Sequence, residues 1–302
     1  EVLSLIMFLQ FCGIKIQLDI KSKTITINGI DSNIINLPRE IQSNNLLFNP
    51  SILYAKYKNT IFNEDVINSC KIIQNDSKFY ELKSNVFYLA SDRIEAGTFV
   101  VAAAITRSKL ILTNCDISIF DGMIEYFDKI GICIDVINQD SVSVYLKNNN
   151  EIFATDIKTD VFPAFPTDMQ AQIMSLLCFA NRSNKSNNTN DTSTNKIFST
   201  VTENVFENRF VHVKELNKIG ASIHVNHQDA VIEAIQDGFD SVAEDLYGND
   251  LRSCASLVIA GLVTKNHKTL SIANIEQLDR GYEFFEKKLN ICNAKIKRIE
   301  NI

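Results

Sequence analysis

The chain repeats itself, and a repeat limits a fold more tightly than composition does. Four stretches share one pattern: "FLQFCGIKIQL" (8–18), "YFDKIGICIDV" (126–136), "ELNKIGASIHV" (215–225) and "KLNICNAKIKRI" (288–299). Each is the end of an amphipathic helix, then Gly13, Gly131, Gly220 or Asn293, then alternating apolar residues. Gly and Asn tolerate the left-handed backbone that closes a helix. The alternation after them reads as a strand.

A second pattern precedes three of the four. "SDRIEAGTFVVAAAITRSKLILTN" (91–114) is an acid, an Ala-rich helix, a basic turn and a strand. "TDMQAQIMSLLCFANR" (167–182) starts the same way and resumes as "NKIFSTVTEN", and "NDLRSCASLVIAGLVTKNHKTLSIAN" (249–274) repeats it most fully. The unit is helix, strand, helix, Gly turn, strand pair. Three copies fill 91–302 and a partial copy opens the chain. Alternating helices and strands make the class α/β, with small-residue helices packed inside. Two segments break the repeat. Residues 33–84, rich in Asn, Ile and Lys, read as an insertion, and the polar tract 181–196 reads as a solvated loop because it has no apolar face to bury.

The bulk numbers exclude several classes. The 302 residues suit one large domain or two ordinary ones, and 45% hydrophobic residues are enough for a sizeable core. The net charge is −6 with no basic stripe, which argues against nucleic acid. The seven cysteines (Cys12, Cys70, Cys115, Cys133, Cys178, Cys254, Cys292) are scattered, with no C-x-x-C pair. Neither a disulfide framework nor a zinc site is expected, and a reducing cytoplasm fits best. Cys133 and Cys292 sit among apolar residues and are expected in the core. The apolar opening "VLSLIMFLQFCGIKI" lacks an initiator Met, a basic leader and a cleavage site, and is too short and interrupted to span a bilayer.

Each copy opens its inner helix with an acid: Asp92, Asp168 and Asp250. Asp92 with Glu95, and Thr167 with Gln170, have capping-box spacing, and Asp250 is a natural N-cap. An acid in a first turn stabilises a helix by a few tenths to about 1 kcal/mol, so each has an ordinary structural explanation. The arginines have less of one. Arg93 and Arg252 lie in first turns, where a cation opposes the dipole. Arg209 ("FENRFVHV") and Arg280 ("EQLDRGYE") each follow a strand and precede a helix. Repeats packed about a pseudo-threefold axis would bring equivalent helix starts together. Helix N-termini with arginine forks then suit a phosphorylated or carboxylated small molecule. The residues alone leave the reaction open. The four histidines show no metal-ligand spacing and read as surface or structural residues, with His212, which follows Arg209, the one placed to face a cleft.

At these residues the sequence resembles a known family. "SDRIEAGTFVVAAAI", "FPTDMQAQ", "TENVFENRFVHVKEL", "DLRSCASLVIAG" and "LDRGYEFFEKKL" are similar, in order, to the enolpyruvyl transferases of the UDP-N-acetylglucosamine type. The resemblance covers about 1–31 and 85–302. It implies an inside-out α/β barrel of repeated helix-strand units. By it, 85–302 is one complete three-repeat domain, 1–32 a remnant of the first domain, and 33–84 an insertion. It also implies transfer of enolpyruvyl from phosphoenolpyruvate to the 3′-hydroxyl of UDP-N-acetylglucosamine in peptidoglycan synthesis, with no cofactor or metal. Asp168 matches the aspartate near the sugar 3′-hydroxyl, with Thr167 expected to cap the helix and so free it. Val205 matches a position whose backbone holds the nucleotide sugar. Arg209, Arg252 and Arg280 match cleft arginines, the last two in the group that handles phosphoenolpyruvate, and Asp250 matches an aspartate beside the reacting centre. The family's Lys-Asn pair and its Gly-Cys-x-x-Gly-x-Arg-Pro loop are not in this sequence. The chain is therefore expected to supply one wall of a two-wall cleft and to lack activity alone. The rival expectations are a 5-enolpyruvylshikimate-3-phosphate synthase-like enzyme, a non-catalytic remnant, and one subunit of a split enzyme completed by a missing N-terminal half.

Overall fold

The computed structural model describes residues 90–147, 151–181 and 196–299, with 15–19, 24–28 and a few positions before them. The chain divides into two compact units, Glu1–Ser91 and Asp92–Ile302. In the first, β1 (Lys15–Asp19) and β2 (Thr24–Asn28) pair antiparallel, with Ile16 opposite Ile27. β1 is the strand anticipated after Gly13. Gly13 itself, Cys12, Cys70 and the insertion 33–84 lie outside the described residues, as does 182–195 of the polar tract.

The second unit is mixed α/β. In chain order it runs α1 (Arg93–Ile105), β3 (Leu110–Thr113), α2 (Ile124–Ile130), β4 (Ile132–Asn138), β5 (Ser141–Leu146), β6 (Ile157–Thr159), α3 (Gln170–Leu177) and β7 (Phe198–Glu203). It continues with α4 (Val211–Lys218), β8 (Ser222–Asn226), β9 (Asp229–Glu233), β10 (Leu246–Tyr247), α5 (Leu251–Gly261), β11 (Ile272–Ala273) and α6 (Phe285–Ile291). Helices α1, α3 and α5 pack against one another at the centre. Their sequences explain why. A helix buried on every side must be small or apolar on every side. "GTFVVAAAI", "QAQIMSLL" and "SCASLVIA" are buried throughout. Three sheets flank them, ordered β3-β5-β4, β6-β7-β9-β8 and a short parallel pair β10-β11. Strand β7 alternates as its sequence asks, with Ser199, Val201 and Glu203 inward.

The helix stops behave as the repeat requires. Gly131 (φ 102°), Gly220 (φ 92°) and Asn293 (φ 72°) all take the left-handed backbone. Strands β4 and β8 follow the two glycines. The strand expected after Asn293 does not form, because residues 294–299 have no regular structure and no strand partner among the described residues. Instead the Asn290 side chain clamps Ile296, donating to its carbonyl at 2.8 Å and accepting from its N–H at 2.9 Å. The same two-bond clamp ties Asn217 to Ile223, at 2.9 and 3.1 Å. The two helix ends share this bond pattern, although among the described residues a strand follows only the one at Asn217.

The cysteines need one correction. Cys115, Cys178 and Cys254 are buried, but Cys133 is half-buried and Cys292 exposed. Ile132 takes the inward position of β4, so Cys133 faces out, where its thiol meets Asp135 Oδ1 at 3.2 Å. Cys292 follows Ile291, itself exposed at the end of α6. Burial pushes the Cys115 and Cys178 thiols up to about 12, so they stay protonated at neutral pH. Among the described residues no helix is long and apolar enough to cross a membrane.

Candidate active site

The starts of the three central helices meet at one cavity of about 220 Å³. Asp92, Ile94 and Glu95 line it from α1, Asp168 from the turn before α3, Leu251 and Arg252 from α5, and Gly281 and Tyr282 from the loop before α6. A Cβ on Gly281 would lie 2.5 Å from Leu251 Cδ1, so glycine permits that close approach.

The three helix-start acids do not act alike. Asp92 caps α1, its Oδ1 accepting from the N–H groups of Ile94 (2.7 Å) and Glu95 (3.2 Å). Asp250 caps α5, accepting from Ser253 N–H at 2.7 Å. Asp168 lies inside a 3-10 turn, Thr167–Met169, and caps nothing. Its Oδ1 accepts from Arg209 Nη2 at 2.5 Å and Arg252 Nε at 2.6 Å, and Arg252 Nη2 pairs with the same oxygen. Its Oδ2 has no partner among the described residues. The Asp168 side chain is 38% exposed and that of Arg209 11%. Burial, and the positive charge of Arg252, press the Arg209 pKa down; Asp168 and Glu203 oppose them.

Neither expected capping box closes reciprocally among the described residues, although Asp92 makes its half by accepting from the Glu95 N–H. Glu95 reaches Lys288 Nζ of α6 at 2.6 Å. Thr167 Oγ1 donates to Glu203 Oε2 at 2.8 Å, and Gln170 Nε2 donates to the same oxygen at 3.1 Å. The buried Glu203 carboxylate needs donors, and charge-assisted bonds to it are stronger than a neutral cap. Asp168 is therefore free of helix capping for a different reason than the sequence offered. The 3-10 turn directs it, and Thr167 serves another residue.

The other candidates divide. The Val205 N–H donates to Glu203 Oε1 at 3.0 Å and is not free to hold a ligand. Arg209 also stacks on Phe206, its guanidinium carbon 4.6 Å from the ring centre. Arg280 is not brought to Asp168. It ends the 3-10 turn Ile275–Arg280, is exposed, and donates to Gln277 Oε1 at 3.2 Å. His212 does not face the cleft; it is buried, with Nε2 3.3 Å from Met174 Sδ. Burial holds its pKa down at about 4, aided by Arg209 and opposed by Asp250.

With that geometry in place, the likeness to known proteins is informative. The sequence pattern of the EPSP synthase (3-phosphoshikimate 1-carboxyvinyltransferase) family matches residues 7–289. The chain belongs to this family. It is 40% identical over 220 residues to UDP-N-acetylglucosamine 1-carboxyvinyltransferase 1 of Clostridium acetobutylicum, covering 73% of this chain and 47% of that protein. It is 36% identical over 254 residues to the UDP-N-acetylglucosamine 1-carboxyvinyltransferase of Wolbachia sp. subsp. Brugia malayi, covering 84% and 54%. The chain thus spans about half the length of the curated relatives it matches. Among solved structures it resembles the enolpyruvyl transferase NikO from Streptomyces tendae (TM-score 0.60, 20% identity, 78% of this chain and 54% of that one). It also resembles EPSP synthase from Acinetobacter baumannii (TM-score 0.50, 13% identity, 95% and 69%). These likenesses show the enolpyruvyl transferase fold, in agreement with the resemblance read from the motifs.

For this family member, sequence reasoning missed two residues at the site. Tyr282 lines the cavity, and its hydroxyl lies 2.8 Å from Thr98 Oγ1, with Gln172 Nε2 3.1 Å away. That polar cluster ties α1 and α3 to the loop before α6. Glu203 was the other. Its signal was available: in "FSTVTE" it is an acid in the inward row of an alternating strand.

Proposed function

We propose that this chain supplies the acceptor-side wall of an enolpyruvyl transferase. The reaction moves the enolpyruvyl group of phosphoenolpyruvate to the 3′-hydroxyl of UDP-N-acetylglucosamine and releases phosphate, the first committed step of peptidoglycan synthesis. One observation carries this reading. Asp168 holds Oδ1 against Arg209 and Arg252 and leaves Oδ2 without a partner among the described residues, beside a cavity.

The chemistry follows from that carboxylate. The sugar hydroxyl donates to Oδ2. As its oxygen attacks C2 of the enol phosphate, Asp168 takes the hydroxyl proton, and a second group protonates C3. The adduct carries carboxylate and phosphate on C2, and Arg209 and Arg252 are charges of the right sign to hold it. Arg280, next to cavity-lining Gly281, joins them on the donor side, and Asp250 stands beside the reacting centre. Val205 offers its backbone carbonyl to the nucleotide sugar. Loss of a C3 proton and of phosphate restores the double bond. The transfer as written needs no cofactor or metal.

In this reading residues 85–302 form one three-repeat domain of an inside-out α/β barrel, 1–32 belong to a first domain, 33–84 are an insertion, and the protein is cytoplasmic. The second wall, with the Lys-Asn pair and the Gly-Cys loop, comes from outside this sequence. The purified chain is therefore expected to bind UDP-N-acetylglucosamine and to release no phosphate. Titration with UDP-N-acetylglucosamine and, separately, shikimate-3-phosphate tests it. A rise in melting temperature with the UDP-sugar alone supports the reading. A rise with shikimate-3-phosphate alone favours the sister activity. Phosphate release by the isolated chain with both substrates would overturn the one-wall account.

A further inference from the structure

Glu203 ends β7, the strand between β6 and β9, and its side chain is buried, the residue being 3% exposed. Its carboxylate accepts four hydrogen bonds. Oε1 takes the N–H groups of Val205 (3.0 Å) and Phe206 (3.1 Å). Oε2 takes Thr167 Oγ1 (2.8 Å) and Gln170 Nε2 (3.1 Å). The first pair begins the loop that carries Arg209. The second pair brackets Asp168 in the turn before α3. A further bond, Asn204 N–H to Thr159 Oγ1 at 3.2 Å, fixes the loop to β6. One buried group thus sets the distance between the two segments whose side chains meet as the Asp168–Arg209 pair.

We infer that Glu203 is a positioning residue for that pair. It acts through Asp168 and Arg209, touches no substrate, and determines where Oδ2 stands when the acceptor hydroxyl arrives. The inference rests on the reading that Asp168 faces that hydroxyl. An apolar residue of similar size leaves two backbone N–H groups and two side-chain donors unpaired in a buried place, and the segments separate to reach water. Glutamine is different. Its Oε1 can accept from both N–H groups. Its Nε2 can donate to the Thr167 hydroxyl, which rotates, and to the Gln170 amide once that flips.

The test uses Glu203→Gln and Glu203→Leu in the whole chain, with two readouts. The first is the Asp168–Arg209 coupling, from a double-mutant cycle of Asp168→Asn and Arg209→Gln read by urea unfolding. The expected coupling is about three- to tenfold in the unfolding constant, retained with Glu203→Gln and lost with Glu203→Leu. The second is the dissociation constant for UDP-N-acetylglucosamine. It should rise about tenfold or more with Glu203→Leu and less than about threefold with Glu203→Gln. If Glu203→Leu lowers stability but leaves coupling and affinity unchanged, Glu203 is only a structural brace and the inference is overturned. If Glu203→Leu does not fold, Thr167→Val, which removes one of the four bonds, replaces it; an unchanged coupling there has the same meaning. Absence of UDP-sugar binding by the parent chain would fail the proposed function, and the coupling, which needs no ligand, would still decide the role of Glu203.

Discussion

Asp92, Asp168 and Asp250 each stand at the start of a central helix, yet two of them hold helices and the third holds arginines. The difference lies in the backbone. Asp92 (φ −72°, ψ 111°) and Asp250 (φ −150°, ψ 176°) are extended, so each side chain folds back over the first free N–H groups of its helix. Asp168 is one residue further in, inside a 3-10 turn that starts after Pro166. Its side chain therefore leaves the helix axis and meets Arg209 and Arg252. A carboxylate at a helix start is a cap only where the preceding backbone lets it be one.

The comparison can be pressed at several points. The largest expected effect is on chemistry. With the second wall supplied, Asp168→Asn should slow phosphate release by about 10²- to 10⁴-fold, the usual range for losing a general base. Asp92→Asn, which can still cap, should leave it near the parent rate. A comparable loss in both variants would end the distinction.

Next is acid sensitivity. In the unfolded chain His212 takes a proton near pH 6.5, while in the folded chain burial defers this to about 4. Between those values the unfolded state binds more protons, so stability is full above pH 6.5 and falls as pH drops toward 4, by up to about 3 kcal/mol. Urea unfolding at pH 7 and pH 4.5 measures it, and His212→Gln should flatten the profile. The charged groups acting on His212 are Arg209 and Asp250, so the acid response belongs to the site's own neighbourhood.

Cap removal sharpens the contrast further. Asp250→Ala and Asp92→Ala should each cost about 1 kcal/mol in urea unfolding. Asp250→Ala should also move the His212 titration lower, since Asp250 is what holds it up. Asp168→Ala should cost about as much as one cap, ~1 kcal/mol, because solvent at its partly exposed carboxylate screens the pair with Arg252, while Arg209, 11% exposed, loses its partner. An Asp168→Ala cost well above those of the caps would make Asp168 a structural residue after all.

Much of this was legible in the chain. The left-handed stops at Gly131, Gly220 and Asn293, the buried central helices and the convergence of their starts all follow from local pattern. The singling out of Asp168, Arg209 and Arg252 came from the family resemblance, because the pattern alone left Asp92, Asp250, Arg93 and Arg280 as equal candidates; the fold brings the three side chains together. What escaped the sequence depends on partners distant in the chain. Thr167 and Gln170 have the spacing of a capping box, but Glu203, 36 residues beyond Thr167, offers a stronger acceptor. Arg280 precedes cavity-lining Gly281 in the chain, but it is exposed and its guanidinium takes a neighbour, Gln277, that a motif does not specify. The apolar surroundings of Cys133 hid which face of β4 it lies on, and a helix stop at Asn293 did not supply the partner strand that 294–299 would have needed.

The central claim is that Asp168, unlike Asp92, is turned toward a substrate hydroxyl. Calorimetric titration of UDP-N-acetylglucosamine into the parent chain, Asp168→Asn and Asp92→Asn tests it most directly. The account predicts a dissociation constant about 10- to 100-fold higher for Asp168→Asn, the value of a hydrogen bond to a charged group, and a change below about twofold for Asp92→Asn. Equal affinity in the parent and Asp168→Asn would contradict it.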